Sequence, residues 1–422
     1  MTTDRRTFLK LAASLGLVMT SPGVLPQRGW ADEVRFAGPF LVTIHASGGW
    51  DPTLLCDPKG RETATDDDPV NRYATGDIGS AGDIRYAPLA GHREFFERFA
   101  SQLLVVNGID AGTNSHDTGT RHIWSGGMDA EMPSIGALAA AAAPTRPALA
   151  FLSNGGYDVT RDLVASTRLP DVGAIAEISY PHRLDPNSPT STLFTDAGLD
   201  RIAQARQERL QRQHEAETLP RQIQAMELLM ASRMGDNELS ELLAWLPATL
   251  DNSNNPLIRQ AQVAVAAFRA GLSISANLVI GGFDTHGNHD QNHEPAMQRV
   301  VAGITALMNE AERQGIADRL VVAVGSDFAR TPWYNETNGK DHWSVTSMMF
   351  MGPGIRGGRV IGATDARQSP LTIDPSTLAL SEAGIRITPG HVHHSLRELL
   401  GFGENPVVEP FRVQGSAIPL FS

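Results

Sequence analysis

An α/β fold with a central, mainly parallel sheet and helices on both faces is predicted by three observations. First, the short apolar runs Phe40–His45, Ala276–Ile280 and Leu320–Val324 each lead into glycine and then aspartate. Those continuations are Gly48-Gly49-Trp50-Asp51, Gly281-Gly282-Phe283-Asp284-Thr285-His286 and Gly325-Ser326-Asp327. Short, largely apolar runs suit strands covered on both faces. Second, Met297–Gln314 carries Val300, Val301, Ile304, Leu307 and Met308 at helical spacing between two of these runs, the pattern of a βαβ unit. Third, the stretch from Thr195 to Ala270 changes character and reads as a helical insertion, residues 195–270, between strands. Sheets of this kind carry their chemistry at the carboxyl ends of the strands.

In order along the chain, Asp4-Arg5-Arg6-Thr7-Phe8-Leu9-Lys10 precedes an apolar stretch, Leu11–Met19, and Gly29-Trp30-Ala31 supplies a small-x-small cleavage site. This N-terminus resembles a twin-arginine export signal over residues 1–31, which implies the twin-arginine translocase as a partner and a periplasmic or otherwise exported protein. Its apolar core is too short to span a bilayer, and no later stretch reaches the roughly 20 apolar residues a span needs. After Asp51, residues 57–83 are polar and read as a surface excursion, with Asp66-Asp67-Asp68 a solvated loop. His92–Phe99 is an amphipathic helix and Leu103–Val106 a strand. The polar stretch from Asn114 opens a helix near His116 that ends at Gly126, so His116 stands at a helix N-terminus, where an anion is favoured. Ser134–Ala143 is an Ala-rich helix and Pro147–Leu152 a strand. The insertion reads as the helices Leu199–Glu217, Pro220–Met234, Glu238–Leu246 and Pro256–Ala270. Met348–Met351 is a further apolar run, and the glycine-rich Gly352–Gly362 reads as a turn and hairpin. His391, His393 and His394 begin the last helix and are expected at the surface.

Composition limits the chemistry. The chain has 422 residues, 41% hydrophobic and 19% charged, enough for one elaborated domain over residues 32–422. A formal charge of −12 speaks against nucleic acid or an anionic membrane as partner. Without residues 1–31 there remain 31 basic and 46 acidic residues, a charge of −15. An anionic substrate therefore needs local positive charge, which metal ions supply. Cys56 is the sole cysteine, which excludes an internal disulfide and a thiolate-rich metal site.

Asp and His together suit zinc, manganese or iron(II), whereas all-oxygen sites suit calcium or magnesium. Asp284 and His286 are two apart at a strand end and share a face if extended. His289 and His293, four apart, are reserve ligands if their segment is helical, and Asp341-His342 follows Asp327 closely enough to fold back. Two ions about 4 Å apart would activate a nucleophile and neutralise a phosphoryl or sulfuryl group.

The motifs Gly281–His286, Ser326–Pro332, Asn338-Gly339-Lys340-Asp341-His342-Trp343 and Gly357–Gly362 resemble family 1501 of the domains of unknown function, over roughly residues 40–402. That family is related to the alkaline phosphatase and sulfatase superfamily. The resemblance implies a three-layer αβα alkaline-phosphatase-like core with Asp51, Asp284, His286, Asp327 and His342 as metal ligands. It also implies a divalent cofactor, zinc first, with manganese, iron or calcium as alternatives. The Asp-His pair of the superfamily reads Asp327-Phe328 here, and His116 stands where alkaline phosphatases carry a Ser or Thr nucleophile. His116 is thus placed at the reacting centre as nucleophile or ligand, with Ser115 and Thr118 as candidate hydroxyl nucleophiles and Arg121 or Arg330 as anion clamp. Cys56-Asp57-Pro58 has the Cys-x-Pro core that sulfatases convert to formylglycine but lacks the Arg, and reads as a buried thiol. The implied function is an exported metal-dependent hydrolase of phosphate or sulfate esters. The alternative is an envelope binding protein that keeps the fold without turnover.

Overall fold

The computed structural model describes residues 36–422 apart from 146, 148, 169–171, 181, 186–187, 189, 220–221 and 223–235. The export signal expected at residues 1–31 and most of the helix expected over Pro220–Met234 lie outside the described residues. In chain order the strands are β1 (Phe40–Ala46), β2 (Gly79–Ala81), β3 (Ile84–Tyr86), β4 (Leu103–Asp110), β5 (Phe151–Ser153) and β6 (Ser166–Thr167). They continue as β7 (Ser275–Ile280), β8 (Leu320–Gly325), β9 (Ala329–Arg330), β10 (His342–Trp343), β11 (Val345–Met351) and β12 (Arg359–Ile361).

Eight of these form one sheet in the order β12-β4-β11-β8-β1-β7-β5-β6. β1 is fully buried and pairs in parallel with β7, Leu41 opposite Ser275, and with β8, Leu41 opposite Val321. β11 alone runs antiparallel, to both β4 and β8. The expected βαβ unit is present in modified form, because β1 lies between β7 and β8.

Alternate residues of β1 face opposite cores, as a period of two dictates. Phe40, Val42 and Ile44 join Phe95, Phe96, Leu257, Val300 and Ile304, so helices His92–Phe99, Pro256–Arg269 and His289–Arg313 cover one face. Leu41 joins Ile123, Ile135, Leu138, Val392 and Leu396, so His116–Ser125, Ile135–Ala142 and Pro389–Leu399 cover the other. The result is three layers, helix on sheet on helix. Caps locate several helix starts: Ser134 accepts from the Ala137 amide, and Asn255 accepts from that of Leu257 ahead of Pro256 at N1.

Three expectations are corrected. The helix before β8 begins at His289, eight residues before Met297, and carries Pro295 inside it, where the ring removes one donor from the helix ladder. Gly352–Gly362 is not a hairpin, because β12 pairs in parallel with β4 instead of with β11. The final histidines are not a surface group: His393 is fully buried on the Ile123 carbonyl at 2.8 Å, and His391 caps its own helix with Thr388. The apolar neighbours of His393 are contributed by distant elements, which local sequence does not reveal. Cys56 is buried as expected, and burial pushes its thiol up.

Candidate metal centre

Four strand ends and the antiparallel β11 meet at one edge of the sheet. There the turn after β1 wraps the aspartate after β8: Asp327 Oδ1 accepts from the Gly48 amide at 3.1 Å, the Gly49 amide at 2.6 Å and Ser326 Oγ at 2.7 Å. Successive amides converge on one oxygen because Gly48 and Gly49 have φ of 115° and 75°, a region open to glycine. A Cβ on Gly49 would stand 2.6 Å from the Phe328 ring, and one on Gly48 2.6 Å from the Asp284 amide. Burial opposes charge on Asp327, but the His116, Ser326 and Gly49 hydrogen bonds hold its carboxyl below the ordinary range.

The other oxygen of Asp327 meets His116 Nδ1 in a short contact, which lifts the His116 pKa. Two more histidines are held in the same manner. His286 Nδ1 lies 2.8 Å from Asp341 Oδ1, and His342 Nδ1 lies 2.8 Å from the Asn114 carbonyl. A carbonyl or carboxylate only accepts, so each Nδ1 carries the proton, and in the neutral ring each Nε2 presents a lone pair.

Those three Nε2 atoms converge on Asp284 Oδ1: His286 at 3.1 Å, His342 at 3.4 Å and His116 at 3.5 Å. His286 Nε2 and His342 Nε2 are 3.0 Å apart, so with both rings neutral and protonated at Nδ1 two lone pairs face one another. His116 Nε2 is buried with no hydrogen-bond partner. Among the described residues, His116, Asp284 and His342 form a grouping whose donor atoms all lie within 4.8 Å of one another, and His286 adjoins it through Asp284 and His342. In tetrahedral coordination, donors about 2.0–2.1 Å from one ion stand about 3.3–3.4 Å from each other. The observed separations and the orphaned Nε2 fit a divalent ion, and an imidazole-rich set favours zinc over calcium or magnesium.

Arg330 ties this edge together. Its buried guanidinium donates to the Gly49 carbonyl at 2.8 Å, the Lys340 carbonyl at 3.0 Å, the Gly48 carbonyl and Asp284 Oδ1 at 2.7 Å. Burial acts to raise the Asp284 carboxyl, but Arg330 and the histidines outweigh it and hold it at about 2. The Asp284 side chain remains 52% exposed, so solvent and solutes reach the centre.

The structure thus brings together Asp284, His286, His342, His116 and Asp327 from the expected set. His116 is presented as a donor atom held by Asp327, and the Asp327 carboxylate is consumed by that task and by the Gly48 and Gly49 amides. Asp51 stands apart from the donor grouping. It is fully buried, with Oδ1 accepting from the Thr53 amide at 2.9 Å and hydroxyl at 2.6 Å. Its Oδ2 accepts from Lys340 Nζ at 2.6 Å and His289 Nε2 at 3.1 Å. Burial opposes its charge, and Lys340 and His289 still hold it well below the carboxylate range.

The reserve ligands His289 and His293 share a helix face as expected, with rings 4.4 Å apart, but they serve Asp51 rather than the centre. His293 Nε2 accepts the Asp51 amide at 2.8 Å, and Thr285 Oγ1 lies 2.9 Å from His293 Nδ1 and 2.7 Å from His289 Nδ1. One proton order satisfies every atom: His293 donates to Thr285, Thr285 to His289, and His289 to Asp51.

Both expected anion clamps are held on acceptors of the chain. Arg121 donates to the Met128 carbonyl at 2.8 Å, and Arg330 is committed as described. Ser115 is an exposed N-cap residue whose side chain makes no capping bond. Sequence reasoning missed Lys340, because a lysine in Asn-Gly-Lys-Asp-His reads as a solvated loop residue until its burial is seen. It also gave Asp341 no task, although its place beside His342 marked it.

Fold and centre define a mainly parallel α/β protein with a candidate histidine–aspartate metal centre at its strand ends. Residues 40–396 match the family described as Protein of unknown function (DUF1501), and the chain belongs to that family. No curated protein matches the chain. Among solved structures it is similar to a sulfatase, PsFucS1, from Pseudoalteromonas sp., at 10% identity and TM-score 0.40 over 98% of this chain and 74% of that one. It is also similar to Ps i-CgsB, solved with k-i-k-neocarrahexaose, at 8% identity and TM-score 0.43 over 91% of this chain and 75% of the other. A third is the lipoteichoic acid synthase LtaP of Listeria monocytogenes, at 9% identity and TM-score 0.40 over 98% and 81%. Likeness at this level says nothing of what this chain acts on. Among the described residues no helix is long and apolar enough to cross a membrane.

Proposed function

We propose that the protein is an exported, metal-dependent hydrolase of phosphate or sulfate esters. The observation that carries this is the convergence of three Nε2 lone pairs, from His116, His286 and His342, on the solvent-accessible carboxylate of Asp284. These four residues would hold a divalent ion, zinc first. Bound there, it would lower the pKa of water and draw charge from an ester oxygen. The chain's own residues do the rest. Asp327, Asp341 and the Asn114 carbonyl fix the tautomers of the three rings, as partners behind metal-bound histidines do. Arg330 keeps Asp284 ionised and locks the loops after β1 and β8 to it. With Arg121 held on the Met128 carbonyl and Arg330 buried, the attraction for an anionic ester would come from the ion. The start of the helix His116–Ser125 adds its dipole on the same side. Export by the twin-arginine route rests on residues 1–31 and suits a protein that folds and loads its ion before transport.

The test is metal analysis of natively exported protein beside a panel of phosphate and sulfate esters. Near-stoichiometric metal, with ester cleavage lost in His286→Ala and Asp284→Ala, is the expected result. Metal-free protein that cleaves none of the esters would overturn it. One observation favours the alternative of an envelope binding protein: four protein donors fill a tetrahedral shell, the habit of structural sites. Stoichiometric metal without turnover would select that reading.

A further inference from the structure

The buried cluster beneath the centre carries a charge arrangement that the proposed hydrolysis does not use. Asp51, Lys340, His289 and Asn71 are all buried, and Lys340 Nζ sits 2.6 Å from Asp51 Oδ2, 2.8 Å from Asn71 Oδ1 and 5.1 Å from the Tyr334 ring centroid. Carboxylate, carboxamide oxygen and imidazole around one cation are the donor types of a divalent site. Here the cation belongs to the chain. A carboxylate offers about four acceptor positions, and on Asp51 they go to Lys340, His289, the Thr53 amide and the Thr53 hydroxyl. None remains for an ion.

The cluster is joined directly to the centre. Thr285, whose hydroxyl lies between His289 and His293, separates Asp284 from His286 in the chain, and its carbonyl accepts from the Lys340 amide at 3.1 Å. Lys340 itself precedes Asp341 and His342. Donors thus alternate: neighbours in sequence point to the open centre and to the buried cluster.

We infer that the centre takes a single divalent ion, and that the ammonium of Lys340 fills a second cation position on Asp51 and Asn71. This rests on the metal centre proposed above and fixes its count. Lys340 places its charge by covalent attachment, whereas an ion there would have to displace it. Shortening Lys340 would empty the position and leave the Asp51 and Asn71 oxygens facing it. The His289 ring could then expose a lone pair, because the Thr285 hydroxyl has an alternative acceptor in the Phe283 carbonyl at 3.4 Å.

The experiment counts zinc per chain after loading and exhaustive dialysis, for the natively exported protein and its variants, and records thermal unfolding with and without zinc. The wild type is expected to hold one equivalent and Lys340→Ala two, with the second stabilising that variant and lost again in Lys340→Ala/His289→Gln. Should Lys340→Ala fail to fold, Asp51→Asn/Lys340→Met removes both buried charges together and is expected to hold one equivalent. Two equivalents in the wild type, one of them lost in Asp51→Asn, would overturn this inference and leave the hydrolase reading standing. Folded Lys340→Ala that stays at one equivalent would also overturn it. A wild type that holds none would remove the proposed centre and this inference together.

Discussion

Replacing Asp327 by asparagine separates the donor atom of His116 from the support that makes it one. The asparagine oxygen can keep the Gly48 and Gly49 amides and the Ser326 hydroxyl, now at 3.1, 2.6 and 2.7 Å, so the turn after β1 stays in place. Its NH2 group then faces His116 Nδ1, and two donors cannot share that contact. The ring must accept at Nδ1, which moves its proton to Nε2 and removes the lone pair that faces Asp284. Loss of a partner behind a metal-bound histidine weakens metal binding by about 10–100-fold, which is about 1.4–2.7 kcal/mol. The assay is a zinc titration against a competing chelator at neutral pH, with metal-free thermal unfolding as the control for fold. Asp327→Asn is expected to fall within that range, and His116→Ala, which deletes the donor outright, to fall further. Equal zinc affinity in Asp327→Asn and the wild type would refute the placement of His116 among the donors.

Other consequences follow from the same geometry. Arg330→Met removes a buried guanidinium from three carbonyls and Asp284, and is expected to cost about 3–5 kcal/mol, read from urea unfolding; a loss under 1 kcal/mol would mean the loops hold without it. Gly49→Ala places a methyl group 2.6 Å from the Phe328 ring at φ 75°, so a cost of about 1–3 kcal/mol and weaker zinc binding are expected together. Unchanged unfolding in that variant would contradict the cradle. Burial holds His92 at about 4 and His393 at about 3, so the unfolded chain, titrating near 6.5, binds protons that the folded chain refuses. Stability is therefore expected to fall as pH drops below about 6.5 and to level off near the folded values, with His92 alone contributing roughly 3 kcal/mol. Thermal unfolding across that range should flatten in His92→Gln; a slope unaltered by that substitution would place the acid sensitivity elsewhere.

The strands were legible because their cause is local. Phe40–Ala46, Ser275–Ile280 and Leu320–Gly325 are short, largely apolar runs that lead into glycine, and runs with so few polar residues are covered on both sides. The same runs put Asp284, His286 and Asp327 at strand ends, where parallel packing gathers them on one edge. Helix limits were legible where a cap stood, at Ser134 and Asn255, and were misplaced at His289, where Pro295 signals a break that the helix does not make.

What each side chain does was decided only by the tertiary structure. Asp51 and Asp327 look equivalent along the chain, yet Asp51 meets an ammonium from 289 residues away and Asp327 a histidine from 211 residues away. The orientation of His116, placed from the sequence as nucleophile or ligand, depends on which ring nitrogen Asp327 reaches. Burial of Lys340, Arg330 and His393 is likewise a property of what packs over them. The sequence determined which groups arrive at the sheet's edge, since hydrophobic period and turn chemistry act over a few residues. Which of them gather at the candidate metal centre, which meet a lysine and which hold a neighbour in place depends on contacts made across hundreds of residues, and those exist only in the folded chain.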